Sequence, residues 1–470
     1  MELRLPNAGP GESIPPSNAT GKGARNPSIS REFDSSGTLT VYAFWSRDNV
    51  VTTDLPPPAA SPSHVPPPTE IDDAARLLTG IARPTPLLYS DGLSELTGYQ
   101  VYLKAENLQR TGAYKIRGAY VKVARLTAEQ RQRGVICASA GNHGQGVALA
   151  AKLAGVTATI VLPGDVPLAK LSAVKAYGAQ VVLAGDSYEA AYRQARLLSE
   201  RDDLAFIHPF DDWDVIVGQG TVGREILAAR PDVDAIVAPV GGGGLLAGIA
   251  LAVRPAARPI QMVGVQASGA AAMVISYQTG KLQSAPAQTV ADGIRVQSPG
   301  ERPFAVFRQY VNDMLAVSEE EIYRAVVYLL EKAHLVVEPA GAVSTAALLG
   351  GHLRLPSGSV VVAVVSGGNV DPNLLGRLIE YGLAHSARYL VLRARMPDLP
   401  GQLVGLLQPL VELRVNVLTI EHRRSAWGLP VNVSEVVVHL ETRGSEQRDE
   451  VLAALRSRGY TVEVIPPAGE

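Results

Sequence analysis

Lys115 stands between an aromatic residue, Tyr114, and a short apolar run that opens with Ile116. Gly112 and Ala113 leave room beside it for something flat. An ammonium group that loses water against an apolar wall has a lowered pKa, and the neutral amine can form a Schiff base. Alone, the residue reads as a solvated surface lysine, the ordinary state of its type.

Three other stretches could serve such an amine. Ser139-Ala140-Gly141-Asn142-His143 follows an apolar strand and opens a helix, so backbone N–H groups and the helix dipole meet at one spot. That is a carboxylate site, or else an N-cap turn with glycine for tightness. Gly241-Gly242-Gly243-Gly244 lies between a strand and an apolar helix and forms an anion cradle suited to phosphate. The alternative is a turn that lets helix and strand pack closely. The lysine and hydroxyl of a nucleotide-triphosphate loop do not follow these glycines, and the dinucleotide glycine pattern is not cleanly met. Ser366 lies just past the apolar run 360–365, which holds its hydroxyl in place. Glu338, in Val-Glu-Pro-Ala-Gly-Ala, is a candidate buried acid; it reads equally as a carboxylate favoured by the dipole of the helix that follows.

The elements that must position these residues alternate. Short apolar strands at 101–105, 135–138, 157–162, 180–183, 235–240, 261–265 and 360–365 are separated by helical patterns, including 71–81, 118–125, 144–154, 168–177, 187–201, 245–253, 318–331 and 340–349. That alternation predicts a parallel, doubly wound α/β sheet. From about residue 385 the order changes to strand 388–395, helix to 412, strands 416–422 and 434–441, helix 446–458 and strand 461–465, the βαββαβ order of a ferredoxin-like domain. Residues 1–68 hold 12 of the 33 prolines and show no sustained period, so they read as a disordered tail, with one short strand possible at 39–45. The boundaries expected are therefore 1–68, 69–384 and 385–470.

The 43 basic and 45 acidic residues nearly cancel, which gives no reason to expect nucleic acid or an anionic membrane as partner. No apolar run approaches a membrane span, and no signal or transit pattern opens the chain, so the cytoplasm is expected. The single cysteine, Cys137, excludes an internal disulfide and reads as a buried strand residue.

In order and context the four motifs resemble those of the fold-type II (tryptophan synthase β-like) pyridoxal phosphate (PLP) enzymes, and among them the threonine ammonia-lyases, from about Ile71 to the chain end. The resemblance implies a two-lobed PLP domain with Lys115 as Schiff-base lysine and Tyr114 beside the cofactor, where phenylalanine is usual. It implies that the 139–143 loop holds the substrate carboxylate and that Asn142 touches the phenolic oxygen. Gly241 to Gly244 would cradle the phosphate, Ser366 would meet the pyridine nitrogen, and Glu338 would lie near the site. The Asp-Leu-Pro-Gly-Gln-Leu turn from Asp398 resembles an ACT domain, a small amino-acid-sensing module, and implies an amino-acid effector and a homo-oligomer, dimer or tetramer. The expected reaction is deamination of L-threonine to 2-oxobutanoate and ammonia, with L-serine as slower substrate, serving isoleucine biosynthesis or degradation. Rival readings are a serine racemase, a serine or hydroxyaspartate dehydratase, or a non-enzymatic sensor. Related racemases bind a divalent cation through a glutamate after a Gly-Val strand. Here Gln266 follows Gly264-Val265, with Ala270 and Ala272 beyond, so no metal is expected there.

Overall fold

A computed structural model describes residues 28–33, 39–44, 65–139, 141–166, 168–385, 387–424 and 429–465. The chain divides into residues 1–52 and 53–470. In the first unit, strands Ser28–Phe33 and Leu39–Phe44 pair antiparallel with Ile29 opposite Ala43. The strand expected at 39–45 is thus half of a hairpin; the rest of the expected tail up to residue 64 lies outside the described residues.

The second unit is built on three sheets. The largest has six strands in the order Asp313–Val317, Gln261–Ala267, Ala235–Pro239, Val360–Val365, Gln100–Ala105 and Leu87–Tyr89. All neighbours are parallel except the last pair. Its central strands are apolar at every position because both faces are covered. Ile236, Ala238, Val362 and Val364 enter one core with the helices Pro68–Leu77, Trp213–Ala229 and Gly244–Val253. Val237, Val361, Ala363 and Val365 enter the opposite core with Glu319–Lys332 and Pro339–Leu349. The second sheet runs Gln180–Leu183, Ala158–Leu162, Val135–Ala138, Ala205–Phe206, all parallel. Cys137 and Ile160 face the helix Asn142–Ala154, and Ile136 and Val161 face the helix Tyr188–Arg201. These are the two doubly wound lobes. The third sheet is antiparallel, Asn416–Arg423, Val433–Glu441, Tyr389–Pro397, Thr461–Val464, with helices Gln402–Glu412 and Ser445–Ser457 closing its core through Leu406, Leu410, Val451 and Leu455. Its first strand lies between its third and fourth, the ferredoxin-like arrangement.

Two differences from the sequence reading bear on the site. The helix expected from Gly118 begins at Ile116, directly after Lys115. The 17-residue helix Trp213–Ala229 was not anticipated, because Gly218, Gly220 and Gly223 each cost about 1 kcal/mol in a helix interior. Here they permit contact. A Cβ on Gly218 would stand 2.6 Å from Gly118 Cα, and one on Gly220 would stand 2.7 Å from the Gly248 carbonyl. This helix therefore touches both the lysine helix and the helix behind the glycine run.

Candidate active site

The motifs leave the C-terminal ends of parallel strands, where open α/β sheets place their ligands. Val360–Val365, which delivers Ser366, is central and lies between the strand of the glycine run and the strand that leads to Lys115. The loops beyond are stitched together by backbone. Tyr114 N–H donates to the Ser366 carbonyl at 3.3 Å, and Gly368 N–H donates to the Gly112 carbonyl at 2.8 Å. Between them Ala113 pairs with Gly367. Lysine and serine are thus fixed relative to each other by three successive contacts.

Lys115 is partly accessible, and its Nζ donates to the Pro209 carbonyl at 2.8 Å and lies 5.2 Å from the Tyr114 ring centre. Burial lowers its pKa from 10.5 to about 8, against the opposing pull of Glu338. Burial, then the Glu338 charge, pushes the Tyr114 phenol up, so it stays neutral. Gly146 keeps the next lobe close: a Cβ there would stand 3.3 Å from that of Lys115.

Helix Asn142–Ala154 begins at this junction, and its first N–H groups have no partner within the helix. Ser139 Oγ accepts from Gly141 N–H at 3.2 Å; Ala140 lies outside the described residues. Asn142 Nδ2 donates to Glu338 Oε1 at 2.6 Å. Glu338 is only 4% exposed, and its own N–H donates to the Gly367 carbonyl at 3.1 Å. The sequence left Glu338 open between buried acid and helix-start carboxylate; it is both, since it caps Pro339–Leu349 by position and is buried beside Asn142. The His143 ring is buried, with Nε2 2.9 Å from the Ile207 carbonyl. A carbonyl can only accept, so Nε2 carries the proton and Nδ1 keeps a lone pair that finds no protein partner. Burial, then Lys115, holds its pKa at about 3, so the ring is neutral and can offer a carboxylate only its backbone N–H.

The glycine run closes the far side. A Cβ on Gly243 would meet Pro303 at 2.7 Å, and one on Gly244 would meet Phe210 at 3.0 Å; on Gly242 it would collide with the Phe210 ring. Gly243 also has φ 100°, a conformation glycine alone adopts freely. The residues from Ile207 to Asp212 form a strap that the sequence reading missed. His208 Nδ1 accepts from Phe210 and Asp211 N–H, burial holds its pKa at about 4, and its ring meets Phe210 edge-on at 4.7 Å. Asp211 accepts from Glu301 and Arg302 N–H, and Asp212 caps the helix Trp213–Ala229. The available signal was Asp211-Asp212 before Trp213 and the short apolar run Val215-Ile216-Val217, a helix-start pattern. Gln266, read as a missing cation ligand, is fully buried; it donates to the Gly241 carbonyl at 3.4 Å and accepts from Val274 N–H at 2.9 Å. Among the described residues no group of three or more His, Cys, Asp or Glu is placed to hold a metal.

Arg117, two residues after Lys115, belongs to a largely buried ionic cluster. Arg117 meets Glu106 with two bonds of 2.8 Å and Glu225 with two of 2.6 and 3.0 Å, and Lys104 meets Glu225 at 2.5 Å. Thr85 adds a hydroxyl to Glu106. The cluster ties the lysine helix to Trp213–Ala229 and to the strand Gln100–Ala105.

These residues fit PLP. A side-chain-free cradle at a helix start suits its phosphate, a partly neutral lysine suits its aldehyde, and the buried Ser366 offers an uncharged hydroxyl. Residues 78–367 match the family described as pyridoxal-phosphate dependent enzyme. The chain is similar to the L-threonine ammonia-lyase of Thermotoga maritima, 44% identical over 397 residues that span 84% of this chain and 98% of that protein. Among solved structures it is similar to the processed form of threonine deaminase isoform 2 from Solanum lycopersicum, with 37% identity, a TM-score of 0.62, and coverage of 66% of this chain and 88% of that one. It is also similar to maize serine racemase, with 34% identity, a TM-score of 0.63, and coverage of 68% and 99%. The chain belongs to the pyridoxal-phosphate dependent enzyme family.

Proposed function

We propose that the chain deaminates L-threonine to 2-oxobutanoate and ammonia by PLP-dependent β-elimination, with L-serine as a slower substrate. The observation that carries this reading is one amine, Lys115, with its pKa lowered to about 8 where an anion cradle and a neutral hydroxyl converge. When bound, PLP supplies an aldehyde to capture the substrate amine and a ring that takes up electron density. The chain's own residues do the rest. Lys115, as the free amine, would accept the Cα proton; a positioned base of this kind contributes about 10²–10⁴-fold. The helix start at Asn142 and His143, with Ser139, Ala140 and Gly141, holds the substrate carboxylate. Gly241 to Gly244 hold the phosphate, Tyr114 walls the amine, and Asn142 meets the phenolic oxygen. Ser366 holds the ring nitrogen without a charge, which favours loss of a β-hydroxyl as the outlet for electrons over return of the proton to Cα.

The racemase reading is favoured by the likeness to maize serine racemase. Against it, Gln266 offers the glycine run an amide and no carboxylate. Incubation with L-threonine and with L-serine, scoring 2-oxobutanoate, pyruvate and D-serine, separates the readings. Rapid 2-oxobutanoate that Lys115→Ala abolishes is the expected result; D-serine as main product would refute it. The same reading carries finer expectations: the cytoplasm, a role in isoleucine biosynthesis, a dimer or tetramer, and an amino-acid effector at residues 385–470. Deletion of those residues is expected to leave turnover and abolish the response to isoleucine or valine.

A further inference from the structure

Asn369 belongs to a chain of hydrogen bonds whose direction chemistry alone decides. At one end is the Thr111 carbonyl, which can only accept, so the Asn369 atom 2.6 Å from it is Nδ2. The same nitrogen lies 2.7 Å from the Asn142 side chain, whose facing atom must accept and is therefore Oδ1. The Asn142 nitrogen is left pointing the other way, 2.6 Å from Glu338 Oε1. An amide nitrogen carries two hydrogens. One goes to Glu338, and the second is left for an acceptor on a bound ligand.

Backbone strain accompanies this arrangement. Thr111 is β-branched and has φ 62°, in the left-handed region, at a cost of about 1–3 kcal/mol. Gly112 has φ 69°, and a Cβ there would collide with the Asn369 amide. The strain sits on the residue whose carbonyl anchors the chain of bonds.

We propose that Asn369 is a positioning residue that locks the Asn142 amide, so that an N–H and not the carbonyl oxygen meets the phenolic oxygen of the bound cofactor. This rests on the assignment of Asn142 to the cofactor made above. Released from Asn369, the amide is free to rotate. With a carboxylate at 369 as well as at Glu338, the amide oxygen must face one acceptor or the other, so the present orientation loses its lock and the turned one becomes populated.

The test compares Asn369→Ala with Asn369→Asp. Cofactor-free proteins are titrated with PLP, and the dissociation constant and the absorbance of the bound cofactor are read together. Asn369→Ala loses the bonds to Thr111 and to Asn142, of which the one to Asn142 bears on the cofactor, and is expected to bind roughly threefold more weakly, with its visible band little changed. Asn369→Asp is expected to bind roughly tenfold more weakly or worse, with intensity moving from the visible band to the near-ultraviolet as the phenol regains its proton. A packing role ranks the two in reverse, since aspartate keeps the volume of asparagine and alanine does not. Aspartate binding as well as or better than alanine, or an unmoved band in both, overturns the inference. Wild-type protein lacking a visible band that depends on Lys115 would instead sink the cofactor assignment, and the inference with it. Melting of the cofactor-free proteins checks that both variants fold.

Discussion

The lowered pKa of Lys115 gives a quantitative test of the site before any substrate is added. An amine at 10.5 is about 0.03% neutral at pH 7, whereas one at about 8 is roughly 10% neutral, a gain of about 300-fold in the reactive form. The assay is covalent capture of Lys115 in the cofactor-free protein by a pyridine aldehyde, trapped with borohydride and mapped by peptide mass from pH 6 to pH 10. Capture is expected to rise about tenfold per pH unit and to level off near 8. Glu338 is the neighbour that raises this pKa, so Glu338→Gln should move the break to lower pH and speed capture at pH 7. Stability follows with a definite sign. Between pH 8 and 10.5 the unfolded chain holds a proton on Lys115 that the folded chain has lost, so stability rises with pH in that window. Below 8 both states are protonated and the full cost of burying the ammonium is present. That shift sets an upper bound on the cost of about 3–4 kcal/mol, which solvent screening of the partly accessible amine lowers. Lys115→Met should abolish the rise. A capture rate that climbs without a break past pH 10, or a break that Glu338→Gln moves upward, would refute the reasoning.

Three further outcomes are expected. Arg117→Met leaves the buried Glu106 charge without its two-bonded partner and should cost roughly 3–5 kcal/mol in urea unfolding. Gly242→Ala drives a methyl into the Phe210 ring and should weaken PLP binding by about 1–3 kcal/mol, with Phe210→Ala restoring part of the loss in the double variant; titration of the three proteins checks this. Gln266→Glu sets an acceptor against the Gly241 carbonyl that Gln266 now serves as donor. It should lower the melting temperature by an amount worth about 1–3 kcal/mol.

What could be read beforehand depended on whether a residue's type or its contact carries the meaning. Lys115, Ser366 and the glycine run follow apolar strands and have side chains, or a lack of them, that suit one kind of work. The C-terminal strands alternate openly; Tyr389–Pro397 buries every second residue. Asn369 lies three residues after Ser366, but its task depends on residues 258 and 227 positions away, a juxtaposition no local pattern carries. Trp213–Ala229 was hidden because glycine is a poor helix former, and only the helices pressed against it explain the glycines. Arg117, Glu106, Glu225 and Lys104 were illegible for a different reason. Charged residues read as surface, and only the fold shows that two cations and two anions close on each other.

That closure has a consequence for the Lys115 amine. Two positive and two negative side chains leave the cluster with no net charge, so it can pin the lysine helix through Arg117, two residues on, without a net pull on the lysine's proton. Burial and Glu338 are the influences that act on the Lys115 pKa, and the cluster is absent from them. Had the helix been anchored by a lone carboxylate, that charge would have raised the pKa and reduced the neutral amine. Rigid placement and a titratable amine therefore coexist because the anchor is internally neutral. The separation is testable within the same two assays: Arg117→Met with Glu106→Gln, which removes one charge of each sign, should lose stability with little change in the pH of the Lys115 break, Arg117→Met alone should move the break to higher pH, and Glu338→Gln should move it lower.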